Sequence, residues 1–181
     1  MKKILLIFFI INLNNFSFGS IKENIISNLQ NIDNLSFDFE QNINGKIEKG
    51  NCVIEYPKKI FCNYDNANNK TLVSNGKSLV IKTNSGSYYR YSIEKTPLNY
   101  ILDKNFLIKE IQNLKEKIID DKFINFMILT DNTEIRIFFD KKNYNIIGWQ
   151  TEDIYQNLII TYIQIKEINM NLKNELFNLP N

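Results

Sequence analysis

The feature that most constrains this chain is a repeated alternation of apolar and polar residues with a period of two. Leu35, Phe37 and Phe39 alternate with polar neighbours, and Asn44-Gly45 follows as a type I′ hairpin signal. Further alternating runs lie near 49–56, 60–64, 70–74, 78–83, 87–94, 123–130, 133–140, 145–152 and 157–166. Turn signals separate them at Pro57, Asn75-Gly76, Ser85-Gly86, Asp131-Asn132 and Lys142-Asn143. This short spacing predicts an antiparallel meander, with a last short strand near Leu176 to Leu179.

Two segments break the alternation and predict helices. From Ser20 to Ile32 the apolar residues recur at helical spacing, and Ser20 with Glu23 has the spacing of a capping box. Thr96 to Leu102 is typical of a short helix with Thr96 as N-cap and Pro97 at the first position. The apolar residues of the segment 105–121 fit both the helical spacing and the strand period of two. The predicted fold is mainly β with helices (α+β): one curved antiparallel sheet and two helical elements.

The amino terminus predicts export. Lys2 and Lys3 precede an apolar run of about ten residues, and small residues near Gly19 are typical of a signal-peptide cleavage site. We predict a signal peptide over 1–19, a single domain over 20–181, and a periplasmic location. The alternative is a membrane anchor, but the run is about half of the ~20 residues needed to span a bilayer.

Charge and composition exclude several classes of function. Without the two lysines of the leader, the chain has 20 basic and 20 acidic residues, which argues against a nucleic-acid partner. No histidine is present, so Ser-His-Asp and Cys-His catalysis and histidine metal sites are excluded. Asp120-Asp121 is more typical of a solvated turn than of a catalytic pair. We therefore predict no catalytic residue, no metal and no cofactor.

The chain has two cysteines that could form a disulfide. Cys52 and Cys62 flank the Pro57 turn and are a candidate disulfide in an oxidising compartment, and two free thiols in the core are the alternative.

A curved sheet covered by helices must fill its concave face or hold an apolar ligand there. In the alternative interpretation, the apolar side chains simply form a packed core, as in most β proteins. The apolar side chains that would form this core are Phe37, Phe39, Ile54, Ile81, Ile137 and Phe139.

Several short motifs occur in a fixed order along the chain. They are Phe37-x-Phe39-x-Gln41, Gly50 seven residues before Pro57, Leu72-Val73-Ser74-Asn75-Gly76-Lys77-x-Leu79, Thr96-Pro97-Leu98, Ile147-Gly148-Trp149 four residues ahead of Asp153, and Phe177-x-Leu179-Pro180. In their order and spacing they resemble the LolA family of outer-membrane lipoprotein carriers. The resemblance implies an incomplete, strongly curved antiparallel β-barrel (a half-barrel) with helices covering an apolar cavity.

The same resemblance implies a function and partners. A carrier of this kind is a monomer that takes lipoprotein acyl chains from an inner-membrane ABC exporter of the LolCDE type. It shields them across the periplasm and passes them to an outer-membrane acceptor similar to LolB. Each buried methylene contributes about 0.8 kcal/mol, so burial alone can drive capture without bond chemistry.

The resemblance also implies which residues act. The implied acyl-chain lining is Phe37, Phe39, Cys52, Ile54, Leu79, Ile81 and Trp149. The implied lid is Pro97, Leu98, Ile101 and Leu102. The family usually has an arginine before the proline of the second hairpin that helps to hold the lid closed, and here that latch position is Tyr56. A phenol lacks the guanidinium fork.

Three other functions are alternatives to a carrier. A regulatory sensor similar to RseB shares the half-barrel and binds lipid or lipoprotein, but carries a second domain for which the chain has no room. An acceptor similar to LolB would be lipidated at its first mature residue, where this chain has no cysteine. A lipid enzyme lacks a nucleophile paired with a base.

Overall fold

Residues 19–65, 69–130, 133–153 and 156–180 are described by a computed structural model. Residues 1–18 of the predicted signal peptide and the predicted turn at Asp131-Asn132 lie outside these residues. Eleven strands form one antiparallel sheet in the order β6-β5-β4-β3-β2-β1-β11-β10-β9-β8-β7. They are β1 Asn34–Ile43, β2 Lys46–Glu55, β3 Lys59–Tyr64, β4 Thr71–Asn75, β5 Ser78–Lys82, β6 Tyr88–Ser92, β7 Lys117–Ile119, β8 Phe123–Leu129, β9 Glu134–Asp140, β10 Ile146–Glu152 and β11 Leu158–Ile168. The sheet is not closed, so β6 and β7 are its edges, and the predicted antiparallel fold is confirmed.

Tight turns set the strand register. Asn44 and Gly45 both have positive φ, at 50° and 89°, as the predicted type I′ turn requires. Asp120 and Asp121 take the same left-handed conformation between β7 and β8, at φ 51° and 55°. Both aspartates are exposed, as a solvated turn requires.

Helix α1 spans Ile21–Gln30 and begins with the predicted capping box. The backbone N–H of Glu23 donates to Ser20 Oγ at 3.2 Å, and the Ser20 N–H donates to Glu23 Oε2 at 2.6 Å. The buried side chains of Ile25 and Leu29 lie on one face of the helix, which packs against helix α3 and the sheet. Local capping and the apolar stripe together account for this helix.

The ambiguous segment 105–121 contains one helix and one strand. Helix α3 spans Lys104–Asn113, with buried Leu107 and Ile111, and β7 follows it. Asp103 is the N-cap of α3, because its carboxylate accepts the Phe106 N–H at 3.1 Å. The two periods overlapped in the sequence because the helix stripe and the short strand lie only three residues apart.

Two boundary predictions were wrong. Helix α2 spans only Leu98–Ile101, and its N-cap is Pro97 rather than Thr96, whose hydroxyl donates to the Ile93 carbonyl of a preceding 3-10 turn at 2.8 Å. The predicted last strand is a 3-10 turn over Asn174–Phe177. This turn packs against β3 and β4, with Phe177 buried, so side-chain packing rather than strand pairing fixes the carboxyl-terminal segment.

The cap of α3 gives a testable prediction. Asp103→Ala removes the acceptor for the Phe106 N–H, and we expect the free energy of unfolding to fall by about 1 kcal/mol. Asp103→Asn retains a capping oxygen but loses the charge, so it should cost clearly less. Urea unfolding of the two variants makes this comparison. Equal losses would show that the charge of Asp103, not its cap, stabilises the helix.

Candidate functional site

One row of residues runs across the concave face of the sheet, directly opposite one another in register. We call it the cavity row, and it comprises Phe37, Cys52, Cys62, Leu72, Ile81 and Tyr89. Its first four members line a cavity, and Phe37 and the two cysteines are buried. The row therefore connects the centre of the sheet to its open edge at β6.

A disulfide lies within the cavity row. Cys52 and Cys62 face each other across β2 and β3 with their Cα atoms 4.1 Å apart, and the structure joins their sulfurs. Both residues are buried, and both line the cavity. The bridge thus forms part of the cavity wall and ties the two strands together beneath it.

The cavity measures about 60 Å³ and lies between the sheet and helix α2. Phe37 and Trp149 meet edge-to-face at one side, with ring centroids 6.2 Å apart, and Leu98 contributes from the lid. Apolar and aromatic side chains dominate its lining. The lining residues are Phe37, Phe39, Gln41, Cys52, Ile60, Cys62, Tyr64, Leu72, Leu98, Trp149 and Thr161.

The structure divides the predicted lining residues into two groups. Phe37, Phe39, Cys52 and Trp149 line the cavity. Ile54 and Leu79 do not: they lie on the same concave face in the next row, where they are buried. Ile81 is partly exposed beyond Leu72 and also lies outside the lining. Alternation assigned these three residues to the correct face, but the position of the lid decides which residues of that face line the cavity.

Sequence reasoning missed several lining residues. Ile60 and Leu72 are apolar members of predicted strands and could have been found by pairing each strand with its neighbour. Gln41 and Tyr64 also lie on the inner face, opposite Thr161 on β11 and Gly50 on β2 respectively. Polar side chains on a predicted concave face carry no apolar signal, so the pattern alone gave no reason to include them.

The lid contributes less to the cavity than predicted. Of the predicted lid residues, only Leu98 lines it. Ile101 and Leu102 are buried in the core beneath, and Pro97 lines a separate cleft. Only one turn of helix therefore covers the cavity.

The bonds between the β2–β3 hairpin and the lid are made two residues after the predicted latch. The Lys58 N–H donates to the Leu102 carbonyl at 2.7 Å, and the Lys58 ammonium lies 3.8 Å from the Asp103 carboxylate. Tyr56 instead packs against the core, and burial raises the pKa of its hydroxyl. Its hydroxyl forms no hydrogen bond with any described residue. In the described structure, Lys58 rather than the residue at the latch position contacts the lid segment.

The cavity has one polar end. Gln41 Nε2 donates to Thr161 Oγ1 at 3.3 Å, and the carboxylate of Glu48 lies buried beside them on the same face. Glu48 accepts a hydrogen bond from Lys70 and pairs with Lys46 at 3.3 Å. The Lys70 ammonium also lies 3.8 Å from the centroid of the Tyr64 ring. The apolar lining therefore ends at a cluster in which two lysines pair with one carboxylate.

Opposing effects act on Glu48. Desolvation raises its pKa, but hydrogen bonds and attraction from Lys70 and Lys46 outweigh burial, and the pKa lies below its ordinary value of 4.5. A carboxyl with a lowered folded-state pKa stabilises the fold fully above its unfolded pKa. That contribution is lost as the pH falls through the folded-state pKa.

We predict that Glu48→Gln weakens the acid sensitivity of folding. Urea unfolding at a series of pH values should show a shallower loss of stability below pH 4.5 than in the unmodified protein. Lys70→Met removes the main partner of the carboxylate, and we expect it to destabilise the protein at neutral pH. A slope identical to that of the unmodified protein in Glu48→Gln would contradict this assignment.

A second cleft, of about 370 Å³, lies between the lid segment and the ends of strands β9 and β10. Four charged side chains line it: Glu94, Lys95, Glu152 and Asp153. The smaller cavity is therefore the better candidate for an apolar ligand.

Within the described ranges, no cluster of three or more acidic or cysteine side chains could hold a metal ion. The helices of those ranges are also too short or too polar to span a bilayer.

Comparison with known proteins identifies the family. A family model described as outer membrane lipoprotein carrier protein LolA matches residues 30–180, which is most of the chain. The chain belongs to the LolA family. LolA-family membership agrees with the motif order along the sequence and assigns the chain to a family of binding and carrier proteins.

Similar structures are distant in sequence. A LolA superfamily protein from Nitrosomonas europaea matches with 9% identity and a TM-score of 0.47, over 88% of this chain and 96% of that chain. A DUF1329 family protein from Desulfovibrio piger matches with 7% identity and a TM-score of 0.45, over 87% of this chain and 95% of that chain. No curated protein sequence matches by direct comparison.

Proposed function

We propose that this LolA-family chain is a periplasmic chaperone that carries lipoproteins from the inner to the outer membrane. The acyl chains would lie along the cavity row, beneath helix α2. The observation that carries the proposal is the apolar cavity between the sheet and a one-turn lid, in a chain whose family model is described as a lipoprotein carrier.

The size of the cavity indicates that loading requires movement. An apolar cavity of about 150 Å³ is large enough to bind benzene. The present cavity of about 60 Å³ is less than half of that and is too small for an acyl chain. In this proposal an acyl chain can therefore enter only if α2 moves away from the sheet.

The lid is the element best suited to move. Helix α2 has four residues, and two contacts from Lys58 tie the lid segment to the hairpin. The ion pair between Lys58 and Asp103, at 3.8 Å, is long and partly exposed, so it contributes little to holding the lid. Displacing Leu98 would open the cavity while the buried residues Ile101 and Leu102 keep the segment anchored in the core.

The proposal includes the compartment and the partners. The chain would be exported with cleavage after Gly19 and act as a monomer. An inner-membrane ABC exporter would load it, and an outer-membrane acceptor would unload it. Neither nucleic acid nor a catalytic step has a place in this cycle, because burial of methylene groups supplies the driving force.

Purification from a Gram-negative host tests the proposal. The protein, expressed with its own leader, is isolated from the periplasm, and bound molecules are identified by mass spectrometry. We expect triacylated lipoproteins in stoichiometric amounts and an amino terminus at Ser20. An empty protein that also fails to extract lipoproteins from inner-membrane vesicles with an energised exporter would contradict the proposal.

A further inference from the structure

Strand β6 presents an unusual edge to solvent. It pairs with β5 on one side only, and all five of its residues are exposed. Three are tyrosines: Tyr88, Tyr89 and Tyr91 expose 44%, 52% and 42% of their surface. Tyrosine combines an apolar ring with a polar hydroxyl, which is why it is enriched where proteins meet the surface of a bilayer.

The sequence of strands β4 to β6 contains basic but no acidic residues, although Lys70 is paired with Glu48 of β2. Residues 69–93 contain Lys70, Lys77, Lys82 and Arg90 and no acidic residue, and the first acid to follow is Glu94. Arg90 donates from Nε and Nη2 to the neutral hydroxyl of Ser78, at 3.3 and 3.1 Å. No carboxylate of the described residues pairs with Arg90 or with Lys77. Their positive charges therefore remain available to an anionic surface.

The edge is also continuous with the cavity. Tyr89 lies opposite Ile81 in the cavity row, and Tyr91 lies opposite Leu79 on the same concave face. Exposure rises along the row from 3% at Cys62 to 52% at Tyr89. Tyr88 and Arg90 lie on the convex side of the same strand. An apolar path thus runs from the cavity to an edge that carries aromatic rings on both faces.

From these three observations we propose that the β5–β6 edge docks on an anionic lipid bilayer. Lys77 and Arg90 contact lipid phosphates, and the three tyrosine rings enter the headgroup region. The inference rests on the proposed carrier function in one respect: the docked edge would let acyl chains pass between the bilayer and the cavity over Ile81 and Tyr89.

A bilayer explains this edge better than a partner strand. A strand added to β6 would use the free backbone groups, but it would have no need for a run of cations without acids. A planar anionic bilayer can bind the cations Lys77 and Arg90 through its phosphates and the tyrosine rings through its headgroup region at the same time. Electrostatic attraction and shallow insertion of aromatic rings reinforce each other in such binding.

Vesicle co-sedimentation tests the proposal with the chain purified from the periplasm. Vesicles contain either phosphatidylcholine alone or phosphatidylcholine mixed with phosphatidylglycerol. We expect binding to the anionic vesicles only, weakening as salt increases. Arg90→Glu reverses one charge and should reduce the partition coefficient about ten-fold. The double variant Tyr89→Ser with Tyr91→Ser should reduce it by a similar factor.

Matched controls lie away from this edge. Tyr162 on β11 is 55% exposed, and Lys142 is an exposed cation in the β9–β10 turn. Tyr162→Ser and Lys142→Glu should leave the partition coefficient unchanged. Absence of binding to anionic vesicles, or equal losses in control and edge variants, would overturn the proposal, as would a β6 surface occupied by a protein strand.

The failure of this inference is distinguishable from that of the carrier function. A chain that captures lipoproteins normally but does not bind anionic vesicles would overturn the proposal that the β5–β6 edge docks on a bilayer, and it would leave the carrier function intact. A chain that binds anionic vesicles through Arg90 but captures no lipoprotein would support the edge and contradict the carrier function.

Discussion

Replacing Leu72 with aspartate is expected to reduce lipoprotein capture at least about ten-fold, because it places a carboxylate in the path of the acyl chain. Leu72 lines the cavity between Cys62 and Ile81 in the cavity row. It is only partly buried, so the new charge can remain hydrated in the empty protein, and the fold should persist. Once an acyl chain enters, the carboxylate must lose water without gaining a partner.

The measurement is the amount of lipoprotein that the purified variant extracts from inner-membrane vesicles with an energised exporter. Val53→Asp is the matched control, because Val53 is also a partly buried strand residue but lies on the convex face. Circular dichroism confirms that both variants keep the sheet. Full capture by a folded Leu72→Asp variant would contradict the assignment of the cavity row.

The second large effect is expected at Gly50. A Cβ atom placed there would lie 2.0 Å from the Asn63 carbonyl oxygen and 2.8 Å from the Phe39 ring. The first contact is to backbone, so β2 and β3 would have to separate or bend. We expect Gly50→Ala to lower the free energy of unfolding by about 3 kcal/mol, the upper end for overpacking, and to lower Tm by about 10 °C.

Asn51→Ala is the control for Gly50→Ala. It alters the next residue of β2, whose side chain is exposed, and should change the stability by less than about 0.5 kcal/mol. Thermal and urea unfolding give both numbers. If Gly50→Ala were as stable as the unmodified protein, then Gly50 would not lie beneath the Phe39 ring, and the inner face of β1 and β2 would need reassignment.

Most of the fold could be predicted from the sequence because its signals are local. Alternation with a period of two predicts the strands, and Asn44-Gly45 fixes a hairpin through its two positive φ angles. The capping box fixes the start of α1. The predicted strand near Leu176 failed because packing of Phe177 against the convex face, a long-range contact, decides that segment.

The candidate site was harder to predict because its lining comes from several strands and from helix α2, whose relative positions no local sequence pattern encodes. Strand alternation assigned Ile54 and Leu79 to the concave face, but only the placement of α2 shows that these two side chains lie outside the cavity, whereas Ile60 of the same row lines it. The family resemblance places the latch position at Tyr56, whereas the bond to the lid comes from the backbone of Lys58, which leaves no side-chain signal. Glu48 can be buried because Lys70 donates a hydrogen bond to its carboxylate, and the 22 residues between them in the sequence hide this pairing.

Site-specific photocrosslinking gives the most direct test of acyl-chain binding on the concave face. Tyr64 and Phe61 are both partly buried aromatic residues of β3, but Tyr64 lines the cavity and Phe61 lies on the opposite face. A photoreactive phenylalanine is placed at each position in turn, in cells whose lipoproteins carry radiolabelled palmitate. We predict crosslinks to labelled acyl chains from position 64 and none from position 61. Equal labelling at both positions, or labelling from position 61 alone, would contradict it.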